Sequence, residues 1–89
     1  MNNVRIEDIF SSKGRVKILK AIFENGELNL SKIIRLTGLN YKVVSRHIEY
    51  LKSKGIIEEF VLGRVRIYRP NWLNPKVRVI EEFIRMFEG

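Results

Sequence analysis

LNYKVVSRHIEYLKSKGII occupies residues 39–57. Val44, Ile48 and Leu51 stand four and three residues apart, which puts them on one face of a helix. Asn40 is a good N-cap and Gly55 a good terminator, so the spacing predicts a helix over about 40–54. With the apolar stripe turned to a core, Tyr41, Lys42, Ser45, Arg46 and Glu49 lie on or near the open face. That face is polar and mostly basic.

Working back from this helix, Thr37-Gly38 closes another one, which carries Ile33, Ile34 and Leu36. Gly38 is suited to the left-handed residue that ends a helix, and Ser31 offers an N-cap at its start. The short step from Gly38 to Asn40 makes a closely spaced helix-turn-helix. Leu28 and Leu30 alternate with polar residues and allow a very short strand. Val16, Leu19, Ile22 and Phe23 mark an earlier helix, capped by Ser11 or Ser12 and stopped at Asn25-Gly26. Val4, Ile6, Ile9 and Phe10 suit a short helix or turn before it.

Downstream, 56–62 and 65–68 read as two strands with Gly63-Arg64 as the hairpin turn. Pro70, which cannot donate a ladder hydrogen bond, ends the second strand. Asn74-Pro75 then opens a last helix. Ile80, Phe83, Ile84 and Phe87 form its stripe, which Val77 and Met86 widen. Trp72 is expected to pack over the join between hairpin and last helix. There is no internal repeat, low-complexity tract or linker, so 1–89 reads as one domain: a segment at 1–10, a core at 11–70 and a helix at 75–88.

The chain has 89 residues, 17 Lys and Arg against 10 Asp and Glu, and a net charge of +7. Such a balance points to a polyanion, either nucleic acid or an anionic membrane surface. The charge is not evenly spread. Residues 31–57 hold six Lys or Arg and one acid, and residues 60–78 hold five and none. The last eleven residues reverse the sign, with three Glu against Arg85. No apolar run reaches the roughly 18 residues of a membrane span, and no signal-peptide core opens the chain. A cytoplasmic, nucleoid-associated location is therefore expected. Abundant Ile, Lys, Arg and Glu without Cys or Gln fit a thermophile's composition, which bears on source rather than function. With no Cys and one His, disulfides, a thiol redox signal and a metal site are not expected.

Three stretches, GRVKILKAIFENGELNLSKI, TGLNYKVVSRHIEYLKSKGIIEE and GRVRIYRPN, occur in the order and at the spacing of one family. The chain resembles the ArsR-like winged helix-turn-helix regulators of archaea and bacteria. The SRHIEYLKSKGII core at 45–57 followed by GRVRIY carries most of this resemblance. It implies an α+β, mostly helical fold: a three-helix core, a β-hairpin wing at about 56–69 and a C-terminal dimerisation helix. It also implies DNA binding. Metal-sensing members carry Cys or His/Asp clusters; this chain has no Cys and only His47, so sensing of a metal is not implied.

In such a fold the helix at 40–54 enters the major groove. Arg46 can bond a guanine edge through two donors, with Ser45 and Asn40 as more adaptable partners. Lys42 suits a phosphate, and Tyr41 a phosphate or a thymine methyl. Ser31 and Lys32 sit where helix N–H groups suit a phosphate. Lys13 and Arg15 are weaker phosphate candidates. On the wing, Arg64 suits a narrow minor groove and Arg66 is nearly as good. The blander alternatives are a solvated helix face, ordinary caps and a charged hairpin that resists aggregation. His47 reads as a half-buried structural residue.

A chain this short buries only about 60% of its unfolded surface, so its core is marginal. A two-fold dimer through the last helix and the N-terminal segment, using Ile6, Ile9, Phe10, Ile80, Phe83, Ile84 and Phe87, would relieve this. The alternative is that the last helix folds back on its own domain. The leading function is a sequence-specific, double-stranded DNA-binding transcription regulator: a dimeric repressor of an inverted repeat. A sequence-tolerant chromosomal protein and a winged helix protein-interaction module remain open. No nucleophile–base pair, paired carboxylates, phosphate-cradling Gly loop or metal cluster suggests an enzyme, and no cofactor is implied. Glu58-Glu59 and Glu81-Glu82 read as solvated positions.

Overall fold

The computed structural model describes residues 4–88. A short helix α1 (Ile6–Phe10) leads into α2 (Lys13–Asn25), β1 (Leu28–Asn29), α3 (Leu30–Thr37) and α4 (Tyr41–Ser53). The hairpin β2 (Ile57–Leu62) and β3 (Val65–Pro70) follows, and α5 (Pro75–Glu88) completes the order. The three strands form an antiparallel sheet ordered β1-β3-β2.

Local chemistry explains most of the boundaries. Ser12 caps α2 by accepting from the Arg15 N–H at 3.2 Å, and Asn40 caps α4 by accepting from Val43 at 2.9 Å. Gly38 ends α3 with φ of 73°, a conformation that penalises any residue bearing a Cβ. One cap departs from the sequence reading. Asn29, and not Ser31, caps α3: its Oδ1 accepts from Lys32 at 2.8 Å. The helix therefore begins at Leu30, and Ser31 is an exposed residue of its first turn. The strand before it shrinks to Leu28–Asn29 because Asn29 already has cap geometry.

The core joins Ile18, Leu19 and Ile22 of α2 to Ile33 of α3 and to Val44, Ile48 and Leu51 of α4. Ile56, Ile57 and Tyr68 close it from the sheet side, and Val77, Ile80 and Ile84 from α5. The predicted stripe of α4 is thus the buried one. At the end of the wing, the side-chain amides of Asn71 and Asn74 both donate to the Gly55 carbonyl at 3.0 Å. This locks the entry of α5 against the start of the hairpin. Trp72, 47% exposed, lies 5.9 Å from the Phe23 ring of α2, with the Arg78 guanidinium of α5 5.4 Å from its own ring, so it rests against α2 and α5 and not on the hairpin.

The faces of α5 are divided differently from the sequence reading. Ile80 and Ile84 are buried in the subunit itself, as is Ile9 of α1, so they have no surface left for a partner. Val77 also points inward. The exposed apolar stripe is instead Val79, Met86 and Phe87, with Phe83 half-buried beside Phe10, whose ring is 4.7 Å away. Ile6 of α1 shares a pocket lining with Val79 and Phe83. The cause is helical geometry: a 14-residue helix carrying this many apolar residues has two adjacent apolar faces, and only one can meet its own core.

Candidate nucleic-acid interface

Burying Val44, Ile48 and Leu51 fixes the rotation of α4, and with it the open face. Tyr41, Lys42 and Arg46 are exposed on that face and Ser45 is half-buried. Among the described residues neither Lys42 nor Arg46 has a carboxylate within ion-pair distance. Asn40 is exposed, but its side-chain oxygen is committed to the cap, which leaves its amide nitrogen for other work. Lys32 and Ser31 are exposed at the start of α3. Arg64 stands in the hairpin turn, exposed and without an acidic partner among the described residues.

Two cations are less free than their sequence positions suggest. Arg15 donates to the Asp8 carbonyl and lies 3.9 Å from the Tyr50 ring, so it ties α2 to α1 and α4 inside the subunit. That removes it from the phosphate candidates, while Lys13 stays exposed. Arg66 shares the inward side of its strand with the buried Tyr68 and donates to Glu59 at 2.5 Å.

Glu59, which reads in sequence as a solvated position, has a side chain only 11% exposed. It also accepts from Lys52 of α4 at 2.5 Å. Its carboxyl is held below the usual range, first by the Lys52 hydrogen bond and against the opposing effect of burial. Strand alternation was the available signal, since Glu59 shares a face with Ile57. Glu81, another of the four acids expected to be solvated, has a side chain 18% exposed and accepts from Arg85 at 2.9 Å.

His47 of α4 is buried. Burial pushes its pKa below the ordinary 6.5, and the positive charges of Arg15 and Arg46 add to this. A Cβ on Gly14 would come within 3.1 Å of its Nε2, so a side chain at residue 14 would require His47 to shift by a few tenths of an ångström. No group of His, Cys, Asp or Glu among the described residues could hold a metal ion. No helix among them is long and apolar enough to cross a membrane.

A helical core, a capped basic helix with an open polar face and a hairpin beside it define a winged helix-turn-helix, a fold that presents one helix to the DNA major groove. Residues 12–59, more than half of the chain, match the bacterial regulatory proteins of the arsR family, and the chain belongs to that family. It is accordingly a DNA-binding transcription regulator, in a family that is not enzymatic. None of the curated proteins is recognisably similar to it.

Solved structures agree on the fold. The transcriptional repressor PagR of Bacillus anthracis is 26% identical over 90% of this chain and 85% of its own, with a TM-score of 0.73. A homodimeric winged helix-turn-helix DNA-binding domain from Mycobacterium bovis is 21% identical over 99% and 91%, with a TM-score of 0.75. A mutant of the type III plasmid segregation protein TubR is 22% identical over 97% and 98%, with a TM-score of 0.74. At such identities the last two speak for architecture alone, and they show one architecture serving more than one task.

Proposed function

We propose that the protein is a dimeric repressor that reads an inverted repeat, with α4 in the major groove and the wing along the minor groove. The observation that carries this reading is the open face of α4. There Lys42 and Arg46 stand exposed and, among the described residues, without acidic partners, while Arg15, Lys20, Lys52, Arg66, Arg69 and Arg85 are engaged within the subunit. Arg46 and Ser45 discriminate bases, and Tyr41, Lys42, Ser31 and Lys32 hold phosphates. Arg64 reaches the minor groove.

The apolar stripe of Ile6, Val79, Phe83, Met86 and Phe87 supports the dimer, as does the homodimeric state of the Mycobacterium bovis domain. An isologous contact through α5 and α1 presents two copies of α4, and a two-fold dimer matches half-sites about one helical turn apart. Repression by occupying a promoter needs no further module.

Selection and sequencing of genomic fragments bound at about 150 mM salt tests the reading. Enrichment of an inverted repeat supports it. Uniform, steeply salt-dependent binding without a motif favours the sequence-tolerant reading, to which the net charge of +7 also lends itself. Absence of duplex binding turns the argument to a protein partner.

A further inference from the structure

The wing is a three-stranded sheet only at its root. β1 pairs with β3 at Tyr68 and Ile67 alone, so from Val61 to Arg66 the hairpin is a two-stranded ribbon. A two-stranded ribbon is by itself only marginally stable in water. Glu59 lies just below this free portion, opposite Tyr68. Its two carboxylate oxygens are divided between elements: Oε1 accepts from Lys52 of α4 and Oε2 from Arg66 of β3, each at 2.5 Å. With 11% of its side chain exposed, against 45% for Glu58 and 71% for Glu49, this carboxylate is held in place.

On affinity alone Glu59 is a liability on a DNA-binding surface. It neutralises charge that Lys52 and Arg66 would otherwise offer to phosphates. Its compensating effect is geometric, because it ties the ribbon to the reading helix. We propose that Glu59 is a positioning residue for DNA binding, which fixes the wing to α4 so that Arg64 and the open face of α4 engage one duplex together. The inference rests on the DNA-reading role given above for α4 and the wing.

A double-mutant cycle between Glu59→Gln and Arg64→Ala tests it, read as duplex affinity by fluorescence anisotropy at about 150 mM salt. Leu62, where the strand ends before the turn, is three residues from Glu59, or about 10 Å along the strand. Sites so far apart normally act additively. In the parent protein Arg64→Ala is expected to weaken binding about five-fold, as one lost contact to DNA does. In the Glu59→Gln background the same change should cost less than two-fold, since an unfixed wing no longer delivers Arg64.

Lys52→Met cuts the tie from the helix side and should abolish the Arg64 effect in the same way. It keeps the proposal testable if Glu59→Gln folds poorly. The salt slope of the Glu59→Gln protein should steepen by about one unit as a released cation finds a phosphate. Equal Arg64→Ala penalties in all backgrounds would overturn the positioning role while leaving the DNA reading intact. A parent protein that binds no duplex overturns both.

Discussion

His47 is the side chain of this sequence whose ordinary pKa lies nearest neutrality. Its folded-state pKa is depressed by burial and by Arg15 and Arg46, so the unfolded chain takes up the proton first. The stability it contributes is complete above the unfolded value near 6.5 and is lost as pH falls toward the lower folded-state value. The thermal midpoint of the parent protein should therefore drop between pH 7.5 and 5.5, and that of His47→Leu should change less. A flat parent profile over that window would contradict the burial argument. Arg46 and Lys42 make a second contrast among single residues. Arg46→Ala should cost about 1–3 kcal/mol on the preferred duplex and relax discrimination at one base pair. Lys42→Ala should weaken all duplexes alike and reduce the salt slope by about one. Anisotropy titrations on preferred and random duplexes separate the two, and identical behaviour of both variants would remove the assigned roles.

At the scale of elements, the turn between α3 and α4 is set by two residues with different jobs. Gly38 adopts a left-handed conformation, and Asn40 terminates the free N–H groups of α4. Asn40→Ala should cost about 1 kcal/mol through the lost cap, and Gly38→Ala about 1–2 kcal/mol through backbone strain. Urea unfolding followed by circular dichroism measures both. If Gly38→Ala were neutral, the turn would have another conformation available. These two signals were legible in the sequence because a cap and a left-handed glycine act within a few residues of chain. The cap of α3 is the opposite case, because it is not decided locally. Ser31 and Asn29 are both competent caps, and which one serves depends on where β1 pairs with β3, a contact across 40 residues of sequence. Arg15 and Arg66 likewise look free in sequence, but Tyr50 and Glu59, which engage them, come from other elements.

The whole molecule leaves apolar surface uncovered along α5. Val79 is 64% exposed and Phe87 75%, so Asp at both positions should spare the subunit's core. Phe83 is a poorer choice, because it is half-buried against Phe10. Val79→Asp combined with Phe87→Asp is expected to sediment as a monomer with its helical spectrum kept. DNA affinity should fall about 100-fold as the second half-site contact is lost. A dimer that persisted in this variant would place the interface elsewhere.

The sequence by itself determined the element order, the buried stripe of α4 and hence the open face carrying Lys42 and Arg46. Those follow from periodicity, caps and glycines, which are local. It also pointed to a polyanionic partner, since the excess positive charge of residues 31–57 and 60–78 needs no coordinates to be seen. Only the tertiary structure decided which of α5's two apolar faces meets the core and which cations have a carboxylate partner among the described residues. Only it joined Glu59 to Lys52 and Arg66 between helix and wing. The physical reason is that a side chain's partners lie across the fold. Ile84 and Phe87 have similar hydrophobicity and lie three residues apart, yet one is buried and the other exposed, because α5 can turn only one side toward α2.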